Sequence, residues 1–172
     1  MPELPEVETV RRGLEPAMQG QRLDAAVARR PNLRFPFPDG FGQRLTGRTV
    51  IGIRRRAKFL IFDLDGPDVL IAHLGMSGSF RIGAEPFPEE KHDHVIFRMS
   101  GGGEIHFNDP RRFGFMDIWP AEGLGAYPML AKLGPEPLDD DAFNGPVLAA
   151  RLKGRKTPIK AALLDQGVVS GV

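Results

Sequence analysis

The sequence predicts a mainly β protein with flanking helices, built as a sandwich or a barrel. Between Leu23 and about Trp119, short apolar or alternating runs are separated by Gly, Pro and Asp, which is typical of strands at short spacing. Helical periodicity is confined to the segments before Leu23 and after Pro120. Hydrophobic residues make up 41% of the 172 residues, enough for the core of one domain, or of one domain plus part of a second.

The first predicted element is a helix over residues 3–19. Apolar residues recur there at helical spacing, and a glycine is expected to end the helix; these residues are Val7, Val10, Leu14, Met18 and Gly20. Six strands are predicted next: Thr49 to Ile53, Phe59 to Leu64, Val69 to His73, His94 to Met99, Glu104 to Asn108 and Phe113 to Trp119. Gly101 to Gly103 is predicted to form a hairpin turn, and Pro36 and Pro38 mark a loop.

The segment after Pro120 is predicted to be helical. A short helix is expected over 130–133, and the Pro- and Gly-rich run 133–138 is the predicted linker. The predicted domains are therefore a β-sandwich-like unit over 1–133 and the start of a helical unit over 134–172. Because the chain stops at Val172 within an apolar run, we expect the second unit to be incomplete.

Two further helices are predicted within residues 134–172. Acidic residues 139–141 are expected to cap a helix that runs through Val147, Leu148 and Leu152. Thr157 is expected to cap the next helix, with Pro158 at its first position. The buried stripe of that helix is predicted to consist of Ile159, Ala162 and Leu163.

Composition excludes several classes of site. The 23 basic and 22 acidic residues give a net charge of +1, which neither proves nor excludes nucleic-acid binding. The absence of cysteine excludes disulfides, thiolate nucleophiles and Cys-ligated zinc from this chain. No apolar run reaches the roughly 18 residues of a membrane span, and the first residues do not resemble a secretory signal, so a cytoplasmic location is expected.

The N-terminus carries the first candidate chemistry. The small residue after Met1 allows removal of Met1, which leaves Pro2 with a free secondary amine. Such an amine can attack the anomeric carbon of a sugar and form a charged iminium, the electron sink for elimination at a neighbouring phosphate. The alternative is that Pro2 only starts a helix and that Glu3 and Glu6 satisfy its dipole.

Basic residues form a second candidate group. In a strand, Arg54, Arg56 and Lys58 share one face, which indicates either a solvated basic edge or a phosphate-facing stripe. Arg155, Lys156 and Lys160 surround a predicted helix start, where they either bind phosphate or form a solvated helix face; all three are candidate DNA contacts.

Histidines and large apolar residues have ordinary structural alternatives. His92 and His94 would share a strand face, but no third ligand or cysteine is nearby, so no metal site is predicted. His73 and His106 are expected to satisfy local structure. Met76 and Phe113 are, on their chemistry alone, more typical of a core.

Seven segments together resemble one family, the formamidopyrimidine-DNA glycosylases, in family order. They are Pro2-Glu3-Leu4-Pro5-Glu6-Val7-Glu8-Thr9 with Arg11-Arg12-Gly13-Leu14, Arg55-Arg56-Ala57-Lys58-Phe59-Leu60, His73-Leu74-Gly75-Met76-Ser77-Gly78-Ser79, Lys91-His92-Asp93-His94-Val95, Asp109-Pro110-Arg111-Arg112-Phe113-Gly114, Leu133-Gly134-Pro135-Glu136-Pro137-Leu138 and Lys156-Thr157-Pro158-Ile159-Lys160. The opening with Leu4 and Val7 resembles the purine-directed branch more than the branch for oxidised pyrimidines.

The resemblance implies a β-sandwich followed by a helix-two-turn-helix domain and a zinc finger. It implies a glycosylase and abasic-site lyase that acts as a monomer on duplex DNA with oxidised purines or abasic sites. Pro2 would be the nucleophile, Glu3 the acid directed at the sugar oxygen, and Lys58 the proton donor in strand cleavage. Glu6 would either position water or only satisfy the helix dipole.

The resemblance also implies how the DNA is held. Met76 and Phe113 would wedge into the space of an extruded nucleotide, and Arg111 would face the orphaned cytosine. His92 would contact the backbone. The family continues beyond the point matched by Val172 with further helices and a four-Cys zinc finger, so zinc is expected there and no cofactor in this chain.

A rival interpretation follows from the absence of these family segments after Val172. The chain would then be a non-catalytic damage-binding or structural piece. In either case we expect these residues alone to bind lesion DNA poorly and to excise little.

Overall fold

Two four-stranded antiparallel sheets form the body of the protein in the computed structural model, which describes residues 1–172. The strands are β1 (Leu23–Ala28), β2 (Val50–Arg56), β3 (Phe59–Leu64), β4 (Asp68–His73), β5 (Ser79–Gly83), β6 (Asp93–Met99), β7 (Glu104–Asn108) and β8 (Phe115–Pro120). One sheet has the order β1-β6-β7-β5 and the other β2-β3-β4-β8. The predicted mainly β fold is confirmed, and it is a sandwich of two sheets rather than a closed barrel.

The core lies between the two sheets. It is a cluster of 23 buried residues to which both sheets contribute, with Phe62 from one and Phe97 and Phe107 from the other fully inaccessible. Fully burying one such side chain contributes on the order of 2–3 kcal/mol. These residues fix which face of each strand points inward.

Strands β3 and β4 are buried on both faces, which explains their unbroken apolar runs. Their outward residues Ile61 and Ile71 pack with Tyr127 and Leu130 in a second cluster of seven buried residues. Tyr127 and Leu130 belong to the segment that follows β8, a 3₁₀ turn over Ala121–Ala126 and helix α3 (Pro128–Ala131). The predicted helix at 130–133 thus exists but starts and ends earlier.

Helix α1 (Leu4–Met18) packs against β2 and β5. Val7, Leu14 and Met18 are buried, and Val10 is partly buried against the core, as the periodicity predicts. The chain leaves the helix at Gly20, whose φ of 78° lies in the left-handed region that favours glycine.

Three elements were not predicted: β1, β5 and helix α2 (Phe41–Leu45). Strand β1 consists largely of alanine and has a bulge between Leu23 and Ala25, so its pattern does not alternate. Strand β5 is an edge strand without a buried residue. The turn at 101–103 is confirmed, because Met99 N–H donates to Gly103 O at 2.9 Å.

The cap predicted for the next helix is wrong. Helix α4 (Gly145–Leu152) is capped by Asn144, whose Oδ1 accepts from Val147 N–H at 3.1 Å. Asp139 instead accepts from the N–H groups of Asp141 and Ala142 and closes a separate turn. The Asp139 carboxylate therefore stabilises the turn that precedes the helix.

The prediction for helix α5 (Ile159–Leu163) also needs correction. Pro158 is the cap residue, with φ −52° and ψ 144°, so Thr157 lies outside the helix. Of the predicted stripe only Ala162 is buried, whereas Ile159 is 60% exposed. The helix has five residues, too few to bury a continuous stripe.

The last residues return to the first helix. Val168 and Val169 are buried, and Leu4 N–H donates to Gly171 O at 3.2 Å. The final apolar run is thus packed against the start of α1. The domain boundary at 133–138 stays a prediction. None of the helices has the length and apolar character to cross a membrane.

Candidate active site

A cavity of about 750 Å³ lies where the N-terminus, the β2–β3 turn, the end of β4 and the C-terminal residues meet. We call it the main cavity. Its lining includes Met1, Glu3, Arg34, Lys58, His73 and Val172. Glu3 and Lys58, two of the four predicted catalytic residues, therefore face one space, although 55 positions separate them in the sequence.

The N-terminal residues form one wall of the main cavity. Pro2 lies between Met1 and Glu3, both of which line it, so removal of Met1 would expose the Pro2 amine at this wall. Glu3 is exposed and has an extended backbone as the cap of α1, with φ −97°. This wall lies at the positive end of the α1 helix dipole.

Glu6 stabilises the start of α1. Its Oε2 accepts from the backbone N–H of Glu3 at 2.8 Å, half of a capping box. The structural alternative stated above for Glu6 therefore has direct support. A role in positioning water stays a prediction.

Lys58 does not lie on a strand face, contrary to the prediction. Strand β2 ends at Arg56, which pairs with Phe59, so Ala57 and Lys58 form a two-residue turn. Ala57 adopts a φ of 52°, and this breaks the alternation that would have aligned Lys58 with Arg54. Arg54 pairs instead with Asp63 on the outer surface, at 2.7 and 2.8 Å.

The turn buries Lys58 rather than exposing it. The residue is only 8% exposed, and its Nζ donates to Val172 O at 3.3 Å. A solvated basic edge is therefore wrong for Lys58. Its ammonium points into the main cavity, where a ligand phosphate can reach it.

His73 lies at the same cavity, which the sequence did not indicate. Its Nδ1 accepts from Gly75 N–H at 3.0 Å, and its ring stacks on Phe115 at 5.4 Å, so the predicted structural role is confirmed. Burial, together with the positive charges of Arg34 and Lys58, lowers the pKa of His73 to about 4. The ring is therefore neutral at pH 7, with its proton on Nε2.

A second cavity of about 420 Å³ adjoins the first. We call it the side cavity, and its lining is Met1, Arg34, His73, Gly75, Met76, Arg111 and Phe113. Three of these residues also line the main cavity, so the two are contiguous.

The side cavity gathers the two predicted wedge residues, Met76 and Phe113, and the predicted cytosine contact Arg111. Met76 is 40% and Phe113 is 45% exposed, so the core alternative is wrong for both. The guanidinium of Arg111 lies 4.9 Å from the centre of the Phe113 ring. An exposed apolar pair beside a cation has the composition expected of a base-extruding wedge.

The loop that carries Arg111 and Phe113 is held by the buried Asp109. Its carboxylate accepts from Ser77 Oγ at 2.6 Å, from Arg112 N–H at 3.1 Å and from Gly114 N–H at 2.9 Å. These bonds fix residues 109–114 as a loop, so β8 begins at Phe115 rather than at Phe113.

Gly75 lets the two loops of the side cavity approach each other. A Cβ at this position would lie 2.3 Å from the backbone of Phe113 and Gly114, and the φ of Gly75 is 62°. A side chain here would therefore push Met76 away from Phe113.

The histidine pair next to this loop has separate structural partners. His94 is buried and its Nε2 bonds Asp109 O at 2.9 Å, while its ring centre lies 6.1 Å from that of the half-buried His92. No three His, Asp or Glu side chains lie close enough to hold a metal ion. His106 bonds the carboxylates of Asp93 and Glu104, at 3.0 and 2.9 Å, which confirms its structural role.

Three predicted phosphate contacts lie on the C-terminal segment. Arg155, Lys156 and Lys160 are exposed. Arg155 pairs with Asp165 at 3.0 Å, and Asp165 lines the main cavity. Arg155 is therefore connected, through Asp165, to the main cavity.

Arg34 is the functional candidate that the sequence did not reveal. It is exposed, lines both cavities, and lies in the Pro-rich loop that precedes α2. A lone arginine in a loop has no periodicity or spacing that could have indicated its position.

Comparison with known proteins decides the family. The family model described as "Formamidopyrimidine-DNA glycosylase N-terminal domain" matches residues 1–116. The chain belongs to this family. A formamidopyrimidine-DNA glycosylase of Rhodopseudomonas palustris (strain TIE-1) is 56% identical over the whole chain, and one of Azorhizobium caulinodans is 55% identical. The chain spans 63% and 62% of the length of these two relatives.

Solved structures of the family agree with the fold. Lactococcus lactis formamidopyrimidine-DNA glycosylase, non-covalently bound to DNA with an abasic site, matches 99% of this chain and 65% of its own, with a TM-score of 0.89 and 35% identity. The same protein in complex with DNA that contains N7-benzyl-Fapy-dG matches with a TM-score of 0.89 and 36% identity. The resemblance stated from the sequence is thereby confirmed.

Proposed function

We propose that this member of the formamidopyrimidine-DNA glycosylase family carries the nucleophile of a bifunctional glycosylase and abasic-site lyase. Its substrate would be duplex DNA that contains 8-oxoguanine, a formamidopyrimidine or an abasic site. The observation that carries the proposal is the main cavity, where the wall formed by Met1 and Glu3 faces Lys58.

The first half of the reaction uses the N-terminus. The Pro2 nitrogen attacks C1′ of the damaged nucleotide, the glycosidic bond breaks, and the base leaves with a proton. Glu3 protonates the ring oxygen O4′, so that the sugar opens and the nitrogen lone pair completes the iminium. The exposed position of Glu3 at the cavity wall suits an acid that must contact the sugar.

The second half is elimination. A base removes the C2′ proton, the C–H electron pair moves into the iminium to give an enamine, and the enamine expels the 3′ phosphate. Removal of the C4′ proton from the resulting conjugated iminium then expels the 5′ phosphate in the same way. Lys58 would donate a proton to the departing phosphate, and its cation would offset the developing charge. The burial of Lys58 strengthens this effect because little water competes for the ammonium.

The side cavity would hold the DNA during these steps. Extrusion of a nucleotide costs about a few kcal/mol, and Met76 with Phe113 would fill the vacated space. Arg111 would hydrogen-bond the orphaned cytosine. His92, Arg155, Lys156 and Lys160 would contact the backbone and set the salt dependence of binding.

The experiment is a cleavage assay on a duplex with one 8-oxoguanine opposite cytosine. We expect slow base release and strand cleavage, from the damaged duplex only, and their loss in Glu3→Gln. Asp63→Asn is the matched control, since Asp63 lies on the outer sheet face and is paired with Arg54. Wild-type activity in Glu3→Gln would contradict the proposed role.

The rival is a non-catalytic DNA-binding protein, and the mass of the purified chain distinguishes the two. Retention of Met1 blocks the Pro2 amine, so damage-specific binding without cleavage would then favour the rival. Loss of Met1 together with cleavage favours the enzyme.

A further inference from the structure

Glu136 connects three segments that meet at the β2–β3 turn. It belongs to the predicted linker, its side chain is only 18% exposed, and neither the resemblance nor the proposed mechanism gives it a role. Its carboxylate pairs with Arg55 at 2.9 Å and with Arg56 at 3.1 Å. It also accepts from the backbone N–H of Ala57, the first residue of the turn.

The turn needs such support because of its backbone. Ala57 has a φ of 52°, a left-handed conformation that is unfavourable for a residue with a Cβ. Strained conformations of this kind persist when surrounding contacts fix them. Here the bond from Ala57 N–H to Glu136 and the bond from Arg55 Nη1 to Ala57 O, at 3.0 Å, hold the residue at both ends.

The C-terminal residues complete the arrangement. Arg56 donates to Ser170 Oγ at 2.7 Å and to Gly134 O at 2.7 Å, so it joins the segment of Glu136 to the last residues. Those residues end at Val172, whose carbonyl accepts from Lys58 Nζ. The backbone of Lys58 and its ammonium are thus fixed by one connected network.

The same network reaches the first helix. Arg55 is only 9% exposed, and its Nε pairs with Glu8 at 3.2 Å. Hydrogen bonds from Arg11 and Arg12 lower the pKa of Glu8 to about 2, although burial opposes them. Glu8 and Glu136 therefore hold Arg55 between two carboxylates, which ties the turn to the helix that carries Pro2 and Glu3.

We propose that Glu136 is a positioning residue that fixes Lys58 in the main cavity by holding the β2–β3 turn in its left-handed conformation. The carboxylate acts through the turn and does not contact the cavity itself. The catalytic consequence rests on the proposed function, because it assumes that Lys58 acts in elimination. The fixed position of Lys58 does not depend on the proposed function.

Competitive acetylation of the intact chain, read by mass spectrometry, tests the geometry. The rate at Lys58 is divided by the rate at the exposed Lys156 of the same molecule, so each sample contains its own reference. Glu136→Ala should raise this ratio about tenfold, since a hydrogen bond to a charged group contributes about a factor of ten or more to local opening. Asp63→Asn, which breaks the neighbouring pair with Arg54, should leave the ratio unchanged.

Glu136→Gln keeps the test decisive if the alanine variant does not fold. Glutamine preserves the shape and an acceptor for Ala57 N–H but loses both charged pairs, so a smaller rise is expected. Circular dichroism checks that each variant is folded. A wild-type ratio in every variant that folds, Glu136→Gln alone if Glu136→Ala does not fold, would overturn the proposal.

Single-turnover assays on 8-oxoguanine duplex test the catalytic consequence. A positioning role predicts that Glu136→Gln slows strand cleavage more than base release, whereas a general loss of stability slows both equally. If the wild-type chain releases no base, the proposed function fails. The acetylation ratio still decides the position of Lys58 in that case.

Discussion

Acidification is expected to destabilise the protein through His73. The ring is buried beside Arg34 and Lys58, which lowers its pKa to about 4 from an ordinary value of 6.5. In the unfolded chain His73 takes up its proton near pH 6.5, so the unfolded state binds more protons between pH 6.5 and 4. The stability that the neutral His73 ring contributes is fully present above pH 6.5 and is lost as the pH falls toward the folded-state pKa.

The size of the effect follows from these two values. At pH 4.5 the difference in proton binding corresponds to at most about 2.5 kcal/mol, and solvent at the partly open ring reduces it to roughly 1–2.5 kcal/mol. His73→Asn removes the titration and keeps an acceptor for Gly75 N–H. Between pH 7.5 and 4.5 the wild type should therefore lose more stability than His73→Asn by this amount.

Urea unfolding at a series of pH values provides the measurement. Because carboxylates titrate in both proteins, the quantity of interest is the difference between wild type and variant. Arg34→Gln tests whether the neighbouring charge lowers the pKa of His73. Loss of this positive charge should reduce the dependence of stability on pH. Parallel stability curves for wild type and His73→Asn would refute the reasoning.

Three further predictions concern the cavities. Lys58→Ala should abolish strand cleavage. The free energy of unfolding should change by no more than about 1.5 kcal/mol, because one hydrogen bond to Val172 O is lost. A larger loss of stability would identify Lys58 as a structural residue. Met76→Ala and Phe113→Ala should each lower the free energy of unfolding by less than about 1 kcal/mol, against about 3–5 kcal/mol for truncation of the fully buried Phe107. Both variants should reduce extrusion of a 2-aminopurine reporter. Large destabilisation with normal extrusion would exclude the wedge. Lesion-duplex binding should show a log–log salt slope no steeper than about −5, since Lys58, His92, Arg111, Arg155, Lys156 and Lys160 can make up to about six phosphate contacts; a much steeper slope would mean that other cations bind the DNA.

The apolar pattern of the sequence predicted the elements that have either one well-defined buried face or two buried faces. Helix α1 was predicted because its buried side chains repeat at helical spacing, and β3 and β4 because both faces are apolar. Strand β5 was missed because it lies at a sheet edge without a buried residue. The alanines of β1 carry too little contrast to mark a face.

The site could be predicted only where motif residues are adjacent in the chain. Met76, Arg111 and Phe113 were recognised from two motifs, and the structure brings them to one cavity. The burial of Lys58 was not predictable, since it depends on the left-handed φ of Ala57 and on contacts with residues more than 100 positions later. The same holds for Arg34, whose place is set by the packing of its loop.

The central claim is that the Pro2 amine is the nucleophile of the main cavity. Borohydride reduction in the presence of an abasic-site duplex, followed by proteolysis and mass spectrometry, tests it most directly. We expect a single DNA adduct on the N-terminal peptide, at Pro2, after loss of Met1. An adduct on Lys58, or trapping that persists in Pro2→Gly at the wild-type level, would contradict it.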